Sequence, residues 1–543
     1  MVIIMTYYLG LTIPIGWGHD ASACLVEDNK IIAFAEEERF VRYKHAFSLF
    51  PRFSAKFCLD FAGIKMSDVV IGFNFDPKKF SRGASDQTLV RRFVNTPRKV
   101  IGARISEQSM RNMTKLVKFY FGADPKQYYL AHHLAHAFSS FPLSGLQQGV
   151  SFNLDAVGER TSTLLGNFAG SQFNTLVESD HSLGYFYSRF TQWLGFDAVE
   201  GEGTVMGLAP YGKPVHDLSE FARPTSGRHP FYAKTEPQDI ENKFGSRRYG
   251  PVEEMHKNVA ASIQDTLEKI MIHMAQQYNA DNLVIAGGIG LNCVANGRLI
   301  EEGHVKDIFV QPAAGDAGGS IGAAVWLAMQ DGHKFEKMDH IYYGPGYTND
   351  QIKKVLNLCG VDYEFHKDIA GVSAELIAKD KIIGWFQGRM EGGPRALGNR
   401  SILANPTNPK MKDILNSRVK HREPWRPFCP SVLYEDRAKY FETDKESPFM
   451  ILAFHVKKEA HKEIPAVVHV DGTARPQTVK KSQNPLYYKL LQNLKKETGH
   501  GVVINTSFNV KGEPVVCRPE DAVRCFFGTG MDALAIGNYL VKK

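Results

Sequence analysis

Residues 282–330, "NLVIAGGIGLNCVANGRLIEEGHVKDIFVQPAAGDAGGSIGAAVWLAMQ", decide the fold. Two short apolar runs, 282–288 and 307–312, are each followed by glycines and then by a longer small-residue segment. A run of four to six apolar residues reads as a buried strand, and a glycine turn leading into twelve or more residues reads as a helix start. Strand, glycine loop and helix repeating in that order predict an α/β fold.

Upstream, residues 253–278 carry a helical pattern, and three β-rich runs at 6–13, 21–28 and 30–38 alternate with turns, which predicts a three-stranded meander. A second unit of the same kind occupies 149–156 and 161–170 around the turn "VGER", so the spacing predicts a duplicated architecture. Downstream, periodicity is lost and turn residues gather between about 330 and 350. We therefore expect two domains, residues 1–345 and residues 346–543. The second reads as another α/β unit, with strands at 381–388 and 501–507, a helix at 395–403 and a terminal apolar run at 532–541.

The chain has 543 residues, 43% of them hydrophobic and 23% charged, which is globular composition. No apolar run reaches the roughly 18 residues that a membrane helix needs, and the first residues read as a strand, not as a leader. Seven cysteines without a C-x-x-C pair fit reduced thiols in the cytoplasm. Net charge is +7, and residues 76–118 hold eleven Lys/Arg against three acids. Interrupted charge of that kind is a solvated helical face before it is a nucleic-acid surface, because aromatic residues are not interleaved at stacking intervals.

Three constellations carry chemistry. In "YYLAHHLAHAFSSF" (128–141), His132 and His136 share one helix face, whereas His133 points about 100° away. Asp155 and Asp316 lie at a strand end and in a glycine turn and can supply oxygen ligands. Two histidines with two aspartates suit Fe(II), Mn(II) or Zn(II), and the lack of H-E-x-x-H disfavours a zinc protease. Gly287, Gly288 and Gly290 follow a strand, with Asn292 just beyond, and two more glycine loops hold Asp316 and "GTVMGLAPYG". No Walker motif is present, but such loops bring backbone N–H groups close to a nucleotide phosphate. Finally, Arg389, Arg395, Arg400, Lys420, Arg422, Arg426 and Arg475 sit in short Gly/Pro-rich loops, and Asn505, Thr506 and Ser507 close a strand. Arginine forks in that setting read as an anion pocket, with Arg400 and Arg422 also open to a role in the fold. A metal–nucleotide site and an anion site together imply ATP-dependent activation of a small acid or acyl phosphate.

The stretches "GHDASACLVEDNKIIAFAEEERFVRYKH", "AHHLAHAFSSF", "VMGLAPYG", "GGIGLNC", "GWFQGRMEGGPRALGNRS", "REPWRPFCPSVL", "DGTARPQT" and "INTSFNVKGEP" resemble, in order, the nodulation-protein (NodU/CmcH-type) O-carbamoyltransferase family. The resemblance implies a duplicated ASKHA (actin/hexokinase-like) domain followed by a YrdC-like α/β domain. It implies that carbamoyl phosphate and ATP, with Mg, give carbamoyl-adenylate, whose carbamoyl group passes to a hydroxyl of a small-molecule or glycan acceptor. Matched position by position, His132, His136, Asp155 and Asp316 fall on the family's iron ligands. Arg395, Lys420, Arg426, Arg475 and Asn505 fall on its carbamoyl-phosphate pocket. Gly287, Gly288 and Asn292, with Asp316, fall on its nucleotide site, and His19 falls on the residue proposed to deprotonate the acceptor. Two positions depart from the pattern: Thr204, where lysine is common, and Trp17, where some relatives carry an acid. Within the same folds a tRNA threonylcarbamoyl-type modifier is the rival reading, and outside them a non-catalytic ATP-binding switch. A homodimer is compatible with the apolar content.

Overall fold

The computed structural model describes residues 6–14, 18–77 and 105–543, with side chains described from residue 112 onward in the last stretch. The cationic segment at 76–118 therefore falls largely outside the described residues, as does Trp17.

The meander forms as expected: β1 (Tyr7–Thr12), β2 (Ser22–Glu27) and β3 (Lys30–Glu36) pair antiparallel in sequence. Two later strands, β4 (Val69–Phe73) and β5 (Gln127–Tyr129), add in parallel on the other side of β1, giving the order β3-β2-β1-β4-β5. A second meander, β6 (Gln148–Leu154), β7 (Thr163–Ala169) and β8 (Gln172–Ser179), starts the next sheet. A small hairpin, β9 (Ala222–Pro224) with β10 (Phe231–Ala233), lies outside it. The second sheet is completed in parallel by β11 (Asn282–Ala286) and β12 (Asp307–Val310), in the order β8-β7-β6-β11-β12. The two sheets have the same order and the same strand senses. The duplication read from the sequence is thus a duplicated topology.

The helix predicted between 253 and 278 runs from Glu254 to Gln277, and the one opening at the Asp316 turn runs from Gly319 to Gln330. Gly319–Gln330 is buried along nearly its whole length, because it packs on β1 and on the His132–Ser140 helix. Two glycines permit that approach. A Cβ on Gly10 would overlap the carbonyl oxygen of Ser320, and a Cβ on Gly322 would overlap that of Ala135.

The remaining strands build an eight-stranded mixed sheet in the order β13-β22-β21-β14-β15-β20-β16-β19. They are β13 (Glu364–Phe365), β14 (Ile383–Phe386), β15 (Arg400–Ala404), β16 (Cys429–Leu433), β19 (Gln477–Val479), β20 (Val502–Ser507), β21 (Ala533–Ile536) and β22 (Tyr539–Lys542); β17 (Phe454–His455) and β18 (Thr473–Ala474) pair separately. One expectation fails here. Residues 395–403 are not a helix but a loop followed by β15. The Glu391 carboxylate takes the N–H groups of Leu397, Asn399 and Arg400, and Gly398 has φ +100°, so the chain cannot close helical turns before it pairs with β14 and β20.

Because the two helices meet backbone to backbone at Gly322, Gly322→Val should destabilise the protein by about 1–3 kcal/mol or more. Urea unfolding measures that loss, and titration calorimetry should show weakened divalent-cation binding, since the two helices carry or follow three of the candidate ligands.

Candidate active site

Each chemical group is set by a strand or helix end. His132 begins its helix, whose first N–H is bonded by the Glu159 carboxylate, at 3.0 and 3.2 Å to its two oxygens. Asp155 directly follows β6, in the loop that joins it to β7. By the internal duplication this loop corresponds to the β1–β2 loop, which carries His19 and Asp20. The mouth of the β1–β2 hairpin grips the third element: Thr12 Oγ1 donates to the Asp316 carbonyl at 3.1 Å, and Ser22 Oγ donates to that of Ala317 at 2.7 Å. The two duplicated hairpins and the Asp316 turn therefore converge.

His132, His136, Asp155 and Asp316 meet there. The two Nε2 atoms are 3.1 Å apart, Asp155 Oδ2 lies 3.4 and 3.0 Å from them, and Asp316 Oδ1 lies 3.5 and 3.8 Å from them. Bonds of about 2.0–2.2 Å to one ion place neighbouring donors roughly 3–3.5 Å apart, so the set fits a divalent cation. Electrostatics point the same way. Burial alone would lower His132, but Asp316 and Asp155 outweigh it and hold the imidazole at about 9. Burial pushes the Asp316 carboxyl up, with Asp155 adding to the effect, whereas His132 and His136 outweigh burial at Asp155 and hold it well below the carboxylate range. His133, the odd histidine of the run, is buried with neither ring nitrogen hydrogen-bonded, and burial drives it down to about 3.

Asp155 and Asp316 line a cavity of about 660 Å³ together with His19, Gly288, Asn292, Arg395, Lys420, Arg426, Arg475 and Asn505. The cavity brings the expected metal, nucleotide and anion residues together from both halves of the chain. Part of its lining is cationic. Lys420 Nζ has only neutral partners, Ser507 and Asn509, and burial with Arg422 nearby drives it well below the usual lysine range. Burial, then the neighbouring Arg475, lowers Arg395 to about 9; burial, then Arg426, does the same for Arg422. Among the described residues, the only carboxylate ion-paired with this cluster is Glu423, 3.7 Å from Arg426. Asn505 is held by its Nδ2, which donates to Ala396 O, Ser431 Oγ and Gln477 Oε1, and its Oδ1 is buried without a partner. Arg475 lays its Nε and Nη2 on Cys429 Sγ at 3.2 and 2.9 Å.

Some residues singled out in the sequence serve the fold instead. Arg389 leaves the anion cluster: it donates to the carbonyls of Gly344, Tyr343 and Ile32 and stacks on Phe61. Arg400 is fully buried over the Phe386 ring, with its guanidinium spent on backbone carbonyls. Asn292 lines the cavity, but its amide caps the Cys293–Glu301 helix and pairs with Gln264. Gly287 packs against Leu154 and does not line the cavity. Thr204 is buried in the cavity wall, and its carbonyl accepts the Trp425 indole N–H. Sequence reasoning missed Asp20, His45 and Glu391. Each lies within a quoted motif, but only contacts across loops reveal what its side chain does.

The profile described as Carbamoyltransferase N-terminus matches residues 9–325, and that described as Carbamoyltransferase C-terminus matches residues 374–543. The chain belongs to the carbamoyltransferase family. It is 38% identical to the nodulation protein NolNO of Sinorhizobium fredii, over 98% of this chain and 80% of that protein. It is 34% identical to the 3'-hydroxymethylcephem-O-carbamoyltransferase of Amycolatopsis lactamdurans, over 52% of this chain and 53% of that protein, and 27% identical to the same-named protein of Streptomyces clavuligerus, over 93% and 94%. This carbamoyltransferase is a transferase enzyme, and among its described residues no helix is long and apolar enough to cross a membrane.

An anion that fills the cationic wall should stabilise the carbamoyltransferase. Carbamoyl phosphate or inorganic phosphate at about 100 times its Kd is expected to add about 2.7 kcal/mol, read as a rise in Tm. The double substitution Arg395→Ala, Arg426→Ala should remove most of that rise, whereas Arg389→Ala should retain it.

Proposed function

We propose that this carbamoyltransferase makes carbamoyl-adenylate from carbamoyl phosphate and ATP and transfers the carbamoyl group to a hydroxyl of a small-molecule or glycan acceptor. The observation that carries the reading is the shared cavity, lined by His19, by the two aspartates of the candidate cation-binding set and by a cluster of buried cations with a single paired carboxylate among the described residues. A pocket with that polarity suits a small, multiply charged acyl phosphate beside a nucleotide phosphate. The names of the relatives support O-linked acceptors.

The proposed balance has two stages. Water cleaves carbamoyl phosphate to carbamate and phosphate; a carbamate oxygen attacks the α-phosphorus of ATP, and pyrophosphate leaves. The acceptor hydroxyl then attacks the carbamoyl carbon, its proton goes to His19, and AMP departs. In this reading Arg395, Lys420, Arg426, Arg475 and Asn505 bear the charge of carbamoyl phosphate, and the enclosed cavity limits hydrolysis of the adenylate. Gly288 and the Cys293 helix start, capped by Asn292 and set by Gly287, receive the nucleotide.

His132, His136, Asp155 and Asp316 would hold Fe(II), with Mn(II) or Zn(II) as substitutes, and the ion would supply Lewis-acid charge for phosphate oxygens. Burial lowers His19, but its hydrogen bond to Asp20 and the charges of Asp316, Asp20 and Asp155 outweigh that and hold it at about 10. Once Asp155 and Asp316 are spent on a cation, two of those charges are offset and His19 returns toward the range of a base. We further propose the division at 345/346 between the two domains. A cytoplasmic setting is supported by the seven free cysteines.

The test needs no acceptor. Purified protein, incubated anaerobically with ATP, carbamoyl phosphate and Fe(II), should release pyrophosphate and form carbamoyl-adenylate, detected by mass spectrometry. His132→Ala with His136→Ala should lower that release at least 100-fold. Consumption of ATP with threonine and bicarbonate instead would favour the tRNA-type chemistry, and no ATP consumption under either condition would favour a binding switch.

A further inference from the structure

His19 is not held alone. Its Nδ1 lies 2.9 Å from Asp20 Oδ2, and the other oxygen of the same carboxylate, Oδ1, lies 2.8 Å from Nδ1 of His45. The two imidazoles meet edge to face, with centroids 5.9 Å apart. Burial raises Asp20, but the hydrogen bonds from His19 and His45 outweigh it and hold the carboxyl well below its ordinary range, so Asp20 is a carboxylate. A carboxylate only accepts hydrogen bonds, so Nδ1 carries the hydrogen on both histidines. That leaves Nε2 of His19 as the nitrogen available to an acceptor hydroxyl.

The backbone is built around this bridge. Asp20 (φ 61°), His45 (φ 63°), Ala46 (φ 41°) and Ser48 (φ 56°) all adopt the left-handed conformation, which costs a non-glycine residue about 1–2 kcal/mol. The two loops are tied across by Asp20 N–H to the His45 carbonyl at 2.6 Å and by Ser48 N–H to the Gly18 carbonyl at 3.1 Å. The His45 N–H is bonded in turn by the buried Glu38 carboxylate at 2.6 Å. On its outer side, Nε2 of His45 faces the Glu200 carboxylate at 3.7 Å, and Glu200 is paired with Lys44 at 2.7 Å. Strained residues collected in two facing loops, which set two imidazoles on one carboxylate, indicate a geometry that is held for use.

We propose that His45 is a positioning residue for His19, acting through Asp20. Its Nδ1–H occupies Asp20 Oδ1 and stops the carboxylate from turning about its Cβ–Cγ bond, so that Oδ2 stays on His19 Nδ1 and Nε2 stays aimed into the cavity. The proposal rests on the reading of His19 as the group that takes the acceptor proton. Its test reads the hydrogen bond itself and needs neither acceptor nor turnover.

The full chain, labelled with 15N-histidine and loaded with diamagnetic Zn(II), should show down-field Nδ1–H protons for His19 and His45, assigned by their loss in His19→Gln and in His45→Asn. Glycine and asparagine both tolerate the left-handed backbone at position 45, so His45→Gly and His45→Asn should fold, as checked by Tm and circular dichroism. His45→Gly should lose the His19 signal along with its own, whereas His45→Asn, which offers an amide N–H at the same reach, should restore the His19 signal. A His19 signal that survives in His45→Gly would overturn the proposal, as would its loss in a folded His45→Asn. Either result stands whether or not carbamoyl-adenylate forms, so a failure here is separable from a failure of the proposed function.

Discussion

The structure depends on a contact that only glycine permits, the backbone approach of the Gly319–Gln330 and His132–Ser140 helices at Gly322. The first helix is wedged against β1 through Gly10 and starts directly after the Asp316 turn, while the second begins with His132 and carries His136 one turn on. The spacing of three of the four candidate ligands, His132, His136 and Asp316, is therefore tied to how closely two helix backbones approach. Gln311 reinforces the arrangement, since its amide donates to the Ser139 carbonyl from the strand end that precedes the Asp316 turn.

On that frame the chain arranges charge at two poles. In the ligand set two buried carboxylates lie together, and buried anions in a low-dielectric setting call for a cation. Elsewhere in the cavity lining Arg395, Lys420, Arg422 and Arg426 are crowded together, with Glu423 the one carboxylate ion-paired to them among the described residues, and burial depresses each of the four. Neither pole is a favourable arrangement for an isolated protein. The proposed function accounts for both, since a phosphate would balance the cations while a metal ion balanced the carboxylates. Arg400 differs from those cations, since both of its Nη atoms donate to backbone carbonyls.

Much of this was legible in the sequence. The two meanders, the α/β alternation in 282–330 and the helix at 254–277 follow from local periodicity, because a strand that packs on both faces and an amphipathic helix each leave a pattern in consecutive residues. The segment 395–403 was misread because its apolar spacing suits a helix. The carboxylate that takes its N–H groups belongs to Glu391, and that competition between partners is invisible to periodicity. Arg389 was misplaced for a similar reason. It sits in the same glycine-rich motif as Arg395, but the chain turns between them, and its guanidinium finds carbonyls from two other segments.

The sequence by itself determined which residue types are present for metal, nucleotide and anion chemistry, the fold class and the family, because these depend on local pattern and on long ordered motifs. Only the tertiary structure decided that the two hairpin loops related by the duplication, the Asp316 turn and the loops of the C-terminal sheet face one cavity. Only it joined His19 to His45 through a shared carboxylate. The physical reason is that side-chain convergence depends on crossover connections and on glycine-permitted helix packing, which bring together residues more than a hundred positions apart and leave no mark on any one stretch of chain.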